Sequence, residues 1–293
     1  MSELPEPRLF SCADATGAVH DQGAHVIDWI PTGHAPVLWL SPSTALETGK
    51  PVRGGVPICF PWFADGAEGG REPKPKHGFA RTLPWHVESR ESSDHEAMIV
   101  YRLSDADVTD PAHREQFPYQ FEAYCVVRFG TELSLELSVT NTGERPFDFE
   151  EALHAYLVVG DVRKIRVEGL DGASYRDKVL DREDCVQEGD LRFDGETDRV
   201  YRSTGDVAVV DPVLGRVLRI RKKNSGTTVV WNPGVETAAA MPDVGSDGWT
   251  DFVCVEGANT HADAVHLEPE ETHSMGYRLS VETTAEDPGR PPA

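Results

Sequence analysis

The 293-residue chain has no run of about 20 uninterrupted apolar residues, no C-x-x-C pair and no surplus of basic charge. The first absence argues against a membrane-spanning helix. The opening MSELPEPRLF lacks the basic start and apolar stretch of a secretory signal, so a cytoplasmic protein is expected. Its 28 Lys plus Arg stand against 50 Asp plus Glu, and a formal charge of -22 opposes attraction to nucleic acid or an anionic membrane surface. Neither partner is expected. The five cysteines, Cys12, Cys59, Cys125, Cys185 and Cys254, are scattered and odd in number, which fits reduced thiols. There is no phosphate-binding Walker sequence and no dinucleotide-binding glycine fingerprint, and His261 and His266 have no metal-ligand spacing with the cysteines. No cofactor and no metal are expected.

What is present is period-two alternation. Phe121, Ala123, Cys125, Val127 and Phe129 alternate with neighbours that include Glu122 and Arg128, then Leu133, Leu135, Leu137 and Val139 alternate with Ser134, Glu136, Ser138 and Thr140. A turn at Gly130 makes this a hairpin. Further strands are expected at 98–103, 165–168, 217–221, 227–231, 252–256 and 275–281, with Asn224-Ser225-Gly226 joining one pair. No segment has sustained helical periodicity. Many short strands between Gly, Pro, Asn and Asp clusters predict an all-β fold, a large antiparallel sandwich. Residues 1–282 are expected to form a single domain. Residues 283–293, rich in Pro, Glu, Asp and Gly, read as a disordered tail, and both termini read as dispensable. Two irregular stretches, 61–76 and 177–199, read as surface loops and as candidate rims of a site.

The segment 50–81 reverses the charge of the chain. Lys50, Arg53, Arg71, Lys74, Lys76 and Arg81 outnumber Asp65, Glu68 and Glu72, for a local charge of +3. An anion pocket and ordinary solvated loop charge both fit that pattern. Gly54-Gly55 after Arg53 would let a ligand approach the backbone closely. His154 interrupts the apolar Leu153-His154-Ala155-Tyr156-Leu157, on the opposite strand face from Leu153, Ala155 and Leu157. It is either a proton shuttle at a cleft or an imidazole satisfied by a neighbour. Glu256 closes the apolar run 252–255, where a carboxylate would be either buried, with raised proton affinity, or solvated at a strand end. In the basic run 216–223, Arg219 and Arg221 alternate with Leu218 and Ile220 as a solvent-facing strand side does, which favours a surface strand over a nucleic-acid site.

Six motifs, RGGVPICFPWF at 53–63, KHGFAR at 76–81, ALHAYL at 152–157, TDRVY at 197–201, VVWNPG at 229–234 and FVCVEGAN at 252–259, together resemble the glucose-6-phosphate 1-epimerase family in order and spacing. This family is the hexose-6-phosphate branch of the galactose mutarotase-like superfamily, and the resemblance runs from about residue 20 to about residue 281. It implies a β-supersandwich, a monomer, and a concave face carrying the site. It also implies His154 and Glu256 as the catalytic pair, with Arg53, Lys76, Arg81 and Asp198 binding substrate and His77 beside them. The chain departs from the family in carrying Ala155 and Leu157 where relatives often have Thr and Phe, and Lys76 where Gln is common.

The reaction so implied opens a hexose 6-phosphate to its aldehyde and recloses it on the other face. Glu256 takes the anomeric hydroxyl proton while His154 protonates the ring oxygen. That scheme requires opposite protonation states and a bell-shaped pH profile. An aldose 1-epimerase acting on free sugars and a catalytically silent carbohydrate-binding or regulatory protein are the two rival readings.

Overall fold

The structure, a computed structural model, describes residues 2–66 and 75–284. Its frame is two eight-stranded sheets paired antiparallel throughout. The first runs across the strands Arg166–Glu168, Val207–Asp211, Arg216–Lys223, Thr272–Thr283, Glu132–Asn141, Phe121–Phe129, Ala97–Ser104 and His86–Ser92. The second runs across Arg182–Val186, Ser174–Asp177, Thr197–Arg202, Thr227–Asn232, Phe252–Asn259, Glu151–Leu153 and Ile58–Cys59, with Tyr156–Val158 also on Phe252–Asn259. Among the described residues no helix is long and apolar enough to cross a membrane.

Alternation fixes which faces meet. In the first sheet Cys125, Val127, Phe129, Leu133, Leu135 and Leu137 are fully buried, and their alternate neighbours are half-exposed. In the second sheet Leu153, Ala155, Leu157, Val253 and Val255 join the same core. Each Val, Leu or Phe side chain so removed from water contributes about 1.5–3 kcal/mol. A buried hydroxyl inside this core needs a partner, and Tyr277 crosses between the sheets to donate to the Val255 carbonyl at 2.9 Å.

The expected strands are all present, most of them longer than the alternation suggested. Three expectations change. Asn224-Ser225-Gly226 does not close a hairpin, because Arg216–Lys223 pairs with Thr272–Thr283 while Thr227–Asn232 pairs with Phe252–Asn259, so the chain crosses from one sheet to the other there. Of the residues assigned to the tail, Thr283 pairs with Arg216 and Thr284 donates to the Gly215 carbonyl, while 285–293 lie outside the described residues. The N-terminal segment is also built in, since Arg8–Ser11 pairs with Ala15–His20 and the Phe10 ring stacks on Phe129 at 5.0 Å.

The basic run divides by face. Arg219 and Arg221 point outward over the buried Leu218 and Ile220. Arg216 is only 4% exposed and donates to the Pro36 and Val158 carbonyls, while Lys222 donates to the Ser203 carbonyl at 2.7 Å. These inward cations donate to backbone carbonyls.

Candidate active site

Register builds the site. In an antiparallel sheet directly opposed residues share a face. Leu153 lies opposite Gly257 and Tyr156 opposite Cys254, and this unchanged register sets His154 across from Glu256. The strand is interrupted between them: the His154 N–H donates to the Pro57 carbonyl and the Ala155 carbonyl accepts from Val255. His154 Nε2 lies 3.4 Å from Glu256 Oε1, with the side chains 8% and 1% exposed. On the same face, Val229 stands opposite Glu256 and Asp198 stands opposite Trp231, which in turn faces Cys254.

Small apolar clusters flank Glu256 along its strand, Phe252 and Cys254 on one side and Ala258 on the other, packed with Trp39, Tyr156, Phe63 and Val200. Burial among them, together with the Asp198 charge, pushes the Glu256 carboxyl well above the usual carboxylate range. Burial, then the Arg81 and Arg53 charges, pushes the His154 imidazole down to about 3. These two shifts favour the proton of the pair on Glu256, opposite to the distribution the ring-opening scheme begins from. The two states differ by one proton transfer along the 3.4 Å line. Glu256 Oε2 and His154 Nδ1 are buried with no hydrogen-bond partner among the described residues.

The cleft above the pair holds about 370 Å³ and is lined by Arg53, Lys76, His77, Asp198 and Lys178, among others. A lobe of about 110 Å³ adjoins it, where Arg81 joins Arg53, Lys76 and His77. All seven sequence-predicted residues thus meet at one cleft and its lobe. Of the other basic residues of 50–81, Lys50 pairs with Glu47 at 2.8 Å, and Arg71 and Lys74 lie outside the described residues.

The three cations of the lobe differ in what holds them. Arg53 Nε donates to Asp243 Oδ2 at 2.8 Å and Nη1 to the Tyr156 hydroxyl at 3.1 Å, which fixes its plane. Arg81 Nη2 donates to the Lys76 carbonyl at 2.6 Å, while its buried Nε has no partner among the described residues. Lys76 is exposed at the rim. His77 sits at φ +63°, and its Nδ1 accepts from the Ala64 N–H at 3.3 Å. The neutral ring therefore carries its hydrogen on Nε2, and burial followed by the His154 and Arg81 charges keeps its proton affinity well below the ordinary histidine value.

The paired glycines do not open a path for ligand. A Cβ on Gly55, at φ +64°, would stand 2.2 Å from the Val26 carbonyl oxygen, and one on Gly54 would stand 2.4 Å from that of Trp39. They let the chain pack on itself and so place Arg53. The irregular stretch 177–199 is also more ordered than expected: it contains the strand Arg182–Val186 and begins the strand Thr197–Arg202.

Among the other cleft residues, Tyr156 and Trp231 fall inside the quoted motifs without an assigned role, and Lys178 and Asp243 carry no sequence signal. Tyr156 and Trp231 were readable from alternation, two positions from His154 and Val229 on the same face. Lys178 and Asp243 lie in loop-like composition and depend on tertiary pairing.

Residues 13–280 match the aldose 1-epimerase family model. An Escherichia coli protein provisionally named glucose-6-phosphate 1-epimerase is 37% identical over 239 residues, covering 81% of this chain and 77% of its own length. A Cenchrus ciliaris protein under the same provisional name is 32% identical over 265 residues, covering 88% and 79%. The crystal structure of YeaD from Salmonella typhimurium, described provisionally as a mutarotase, superposes with a TM-score of 0.86 at 30% identity, covering 96% of this chain and 92% of that one. With its all-β sandwich and a histidine-glutamate pair in a shared cleft, the chain belongs to the aldose 1-epimerase family.

Proposed function

We propose that the chain is a hexose-6-phosphate 1-epimerase, interconverting α and β anomers by general acid-base ring opening and reclosure. The observation that carries this reading is the buried His154–Glu256 pair, 3.4 Å apart, next to a lobe containing Arg53, Lys76 and Arg81. Relatives named for glucose 6-phosphate support the same substrate class.

In this reading the phosphate enters the lobe lined by Arg53, Lys76 and Arg81, and the anomeric centre lies over the pair. Glu256 accepts the anomeric hydroxyl proton and His154 gives one to the ring oxygen. Rotation about C1–C2 and reclosure with the roles exchanged return both residues to their starting states. A phosphate beside Arg81 and Arg53 offsets two of the charges that depress His154, and so favours the imidazolium the reaction uses. Unaided anomer exchange already proceeds in water, so acid-base contributions of roughly 10² to 10⁴ suffice.

The test follows pure α-glucose 6-phosphate to anomeric equilibrium by NMR, with wild-type protein, His154→Ala and no protein, and with α-glucose in parallel. Acceleration confined to the phosphorylated sugar and lost in His154→Ala is expected. Equal acceleration of both sugars would move the activity to free aldoses, and binding without acceleration would make the protein a sensor.

The pH profile of kcat/KM follows from the same pair. Activity requires one proton between two bases: a second proton on His154 removes the base, and loss of the last one removes the acid. The acid limb is expected near pH 3 and the alkaline limb above the ordinary carboxylate range. The substrate phosphate adds its own inflection near pH ~6. An acid limb at the ordinary histidine value, seen with an unphosphorylated sugar as well, would contradict this assignment.

A further inference from the structure

Asp198 has a partner fixed by the backbone. The strand Ser174–Asp177 pairs with Thr197–Arg202 so that Arg176 meets Val200 and Asp177 meets Arg199. The next step sets Lys178 opposite Asp198, and the Lys178 N–H donates to the Asp198 carbonyl at 2.9 Å. Asp177 Oδ1 then accepts from the Leu180 N–H at 3.0 Å, in a turn that leads the chain away. The Lys178 Nζ lies 3.1 Å from Asp198 Oδ2, with the two side chains 32% and 23% exposed. Both line the cleft that contains Glu256. Lys178 is thus a cross-strand partner on the site face, held at the backbone, unlike a free surface lysine.

The chemistry of this pair suits a neutral polyol better than an anion. An ammonium has three donors and no acceptor, and a carboxylate has about four acceptor positions and no donor. Paired, they offer both kinds side by side with most positions unused. A hydroxyl group both donates and accepts, so two neighbouring hydroxyls on a ring can each give a hydrogen to Asp198 and take one from Lys178. Either charge alone would satisfy half of that pattern. The Asp198 carboxylate also disfavours a phosphate at this end, while the cations Arg53, Lys76 and Arg81 line the lobe.

We propose that Lys178 is a specificity-determining residue that forms, with Asp198, a reader of a vicinal diol on the sugar edge remote from the phosphate. The proposal rests on the sugar-phosphate reading above and deepens it. Lys178 has a second effect, because its charge opposes the upward push of Asp198 on Glu256, so the diol reader and the catalytic carboxyl are electrostatically linked.

The experiment compares wild type, Lys178→Met and Lys178→Arg in anomer exchange of glucose 6-phosphate and of its 3-deoxy and 4-deoxy analogues, with thermal unfolding of each variant. Loss of a charge-assisted hydrogen bond predicts a KM for Lys178→Met raised about 10- to 100-fold with kcat within a few-fold. Lys178→Arg should recover most of it. The penalty should shrink to a few-fold on whichever deoxy analogue lacks the hydroxyl that is read. Lys178→Met within twofold of wild type on glucose 6-phosphate would overturn the proposal. An equal penalty on every analogue would also overturn it, because a merely structural role has that signature. Wild-type protein inactive on all three sugars would sink the epimerase reading instead, and calorimetric titration with glucose 6-phosphate would then decide the diol reader. Equal Kd for wild type and Lys178→Met would overturn it, as would the absence of binding to either.

Discussion

Glu256→Gln is expected to abolish anomer exchange, by at least 10²-fold and up to about 10⁴-fold, and at the same time to raise the unfolding midpoint at neutral pH. Both effects come from the same burial. The carboxyl is 1% exposed, flanked by Phe252, Cys254 and Ala258, with Oε2 unpartnered among the described residues. Its proton affinity in the folded chain lies well above its ordinary value. A group whose folded pKa is raised stabilises the fold fully below its unfolded pKa, and that contribution is lost as pH rises toward the folded pKa. For a glutamate the loss begins near pH ~4 and grows by about 1.4 kcal/mol per pH unit until the folded pKa is passed. Glutamine has the same shape, does not titrate, and can still hydrogen-bond His154. The variant should therefore gain on wild type from about pH 4 upward, by a few degrees at pH 7, and match it below pH 4. Calorimetric melts at pH 4 and pH 7 measure the gap. A variant less stable than wild type at pH 7 would mean that Glu256 is held as a compensated anion, and the acid-base assignment would have to change with it.

This trade-off shows what the sequence made legible and what it did not. Period-two alternation located the strands because a half-buried strand has to repeat every second residue, and it placed His154 on the face away from the core, whereas the continuous apolar run 252–255 left Glu256 either buried or at a solvated strand end. It could not place them together. Their 3.4 Å approach depends on the register of Glu151–Leu153 and Tyr156–Val158 against Phe252–Asn259, about 100 residues apart in sequence. The glycines at 54–55 misled for a related reason. Positive φ was legible as a possibility, but only packing shows that the close neighbour is the backbone of Val26 and Trp39. Lys178 was invisible in a loop-like acidic stretch, because its role is conferred by the cross-strand residue Asp198. Charge reversal over 50–81 pointed to the right segment but counted too many residues. Lys50 is tied to Glu47, so Arg53, Lys76 and Arg81 are the described cations of that segment that reach the site.

Arg81→Ala should separate the phosphate grip from the proton chemistry. The Arg81 guanidinium lines the lobe and is pinned through Nη2 to the Lys76 carbonyl, so a phosphate in the lobe would meet a prepositioned cation. Removing one member of a buried, hydrogen-bonded charge pair costs about 2–5 kcal/mol, so kcat/KM for glucose 6-phosphate should fall at least ~30-fold. Arg81→Lys should recover only part, since it restores charge without the guanidinium fork. Exchange of unphosphorylated glucose, however slow, is expected not to fall. The Arg81 charge is, after burial, the first of the influences that depress His154, so its removal raises the proton affinity of the imidazole and moves the acid limb upward from about pH 3. The same logic predicts that inorganic phosphate added to wild type, by occupying the lobe, accelerates exchange of free glucose, and that Arg81→Ala loses this response. A bound phosphate that served only as an anchor would inhibit or do nothing. Equal losses on both sugars in Arg81→Ala, with no effect of inorganic phosphate on wild type, would reduce Arg81 to a structural cation that holds the rim at Lys76.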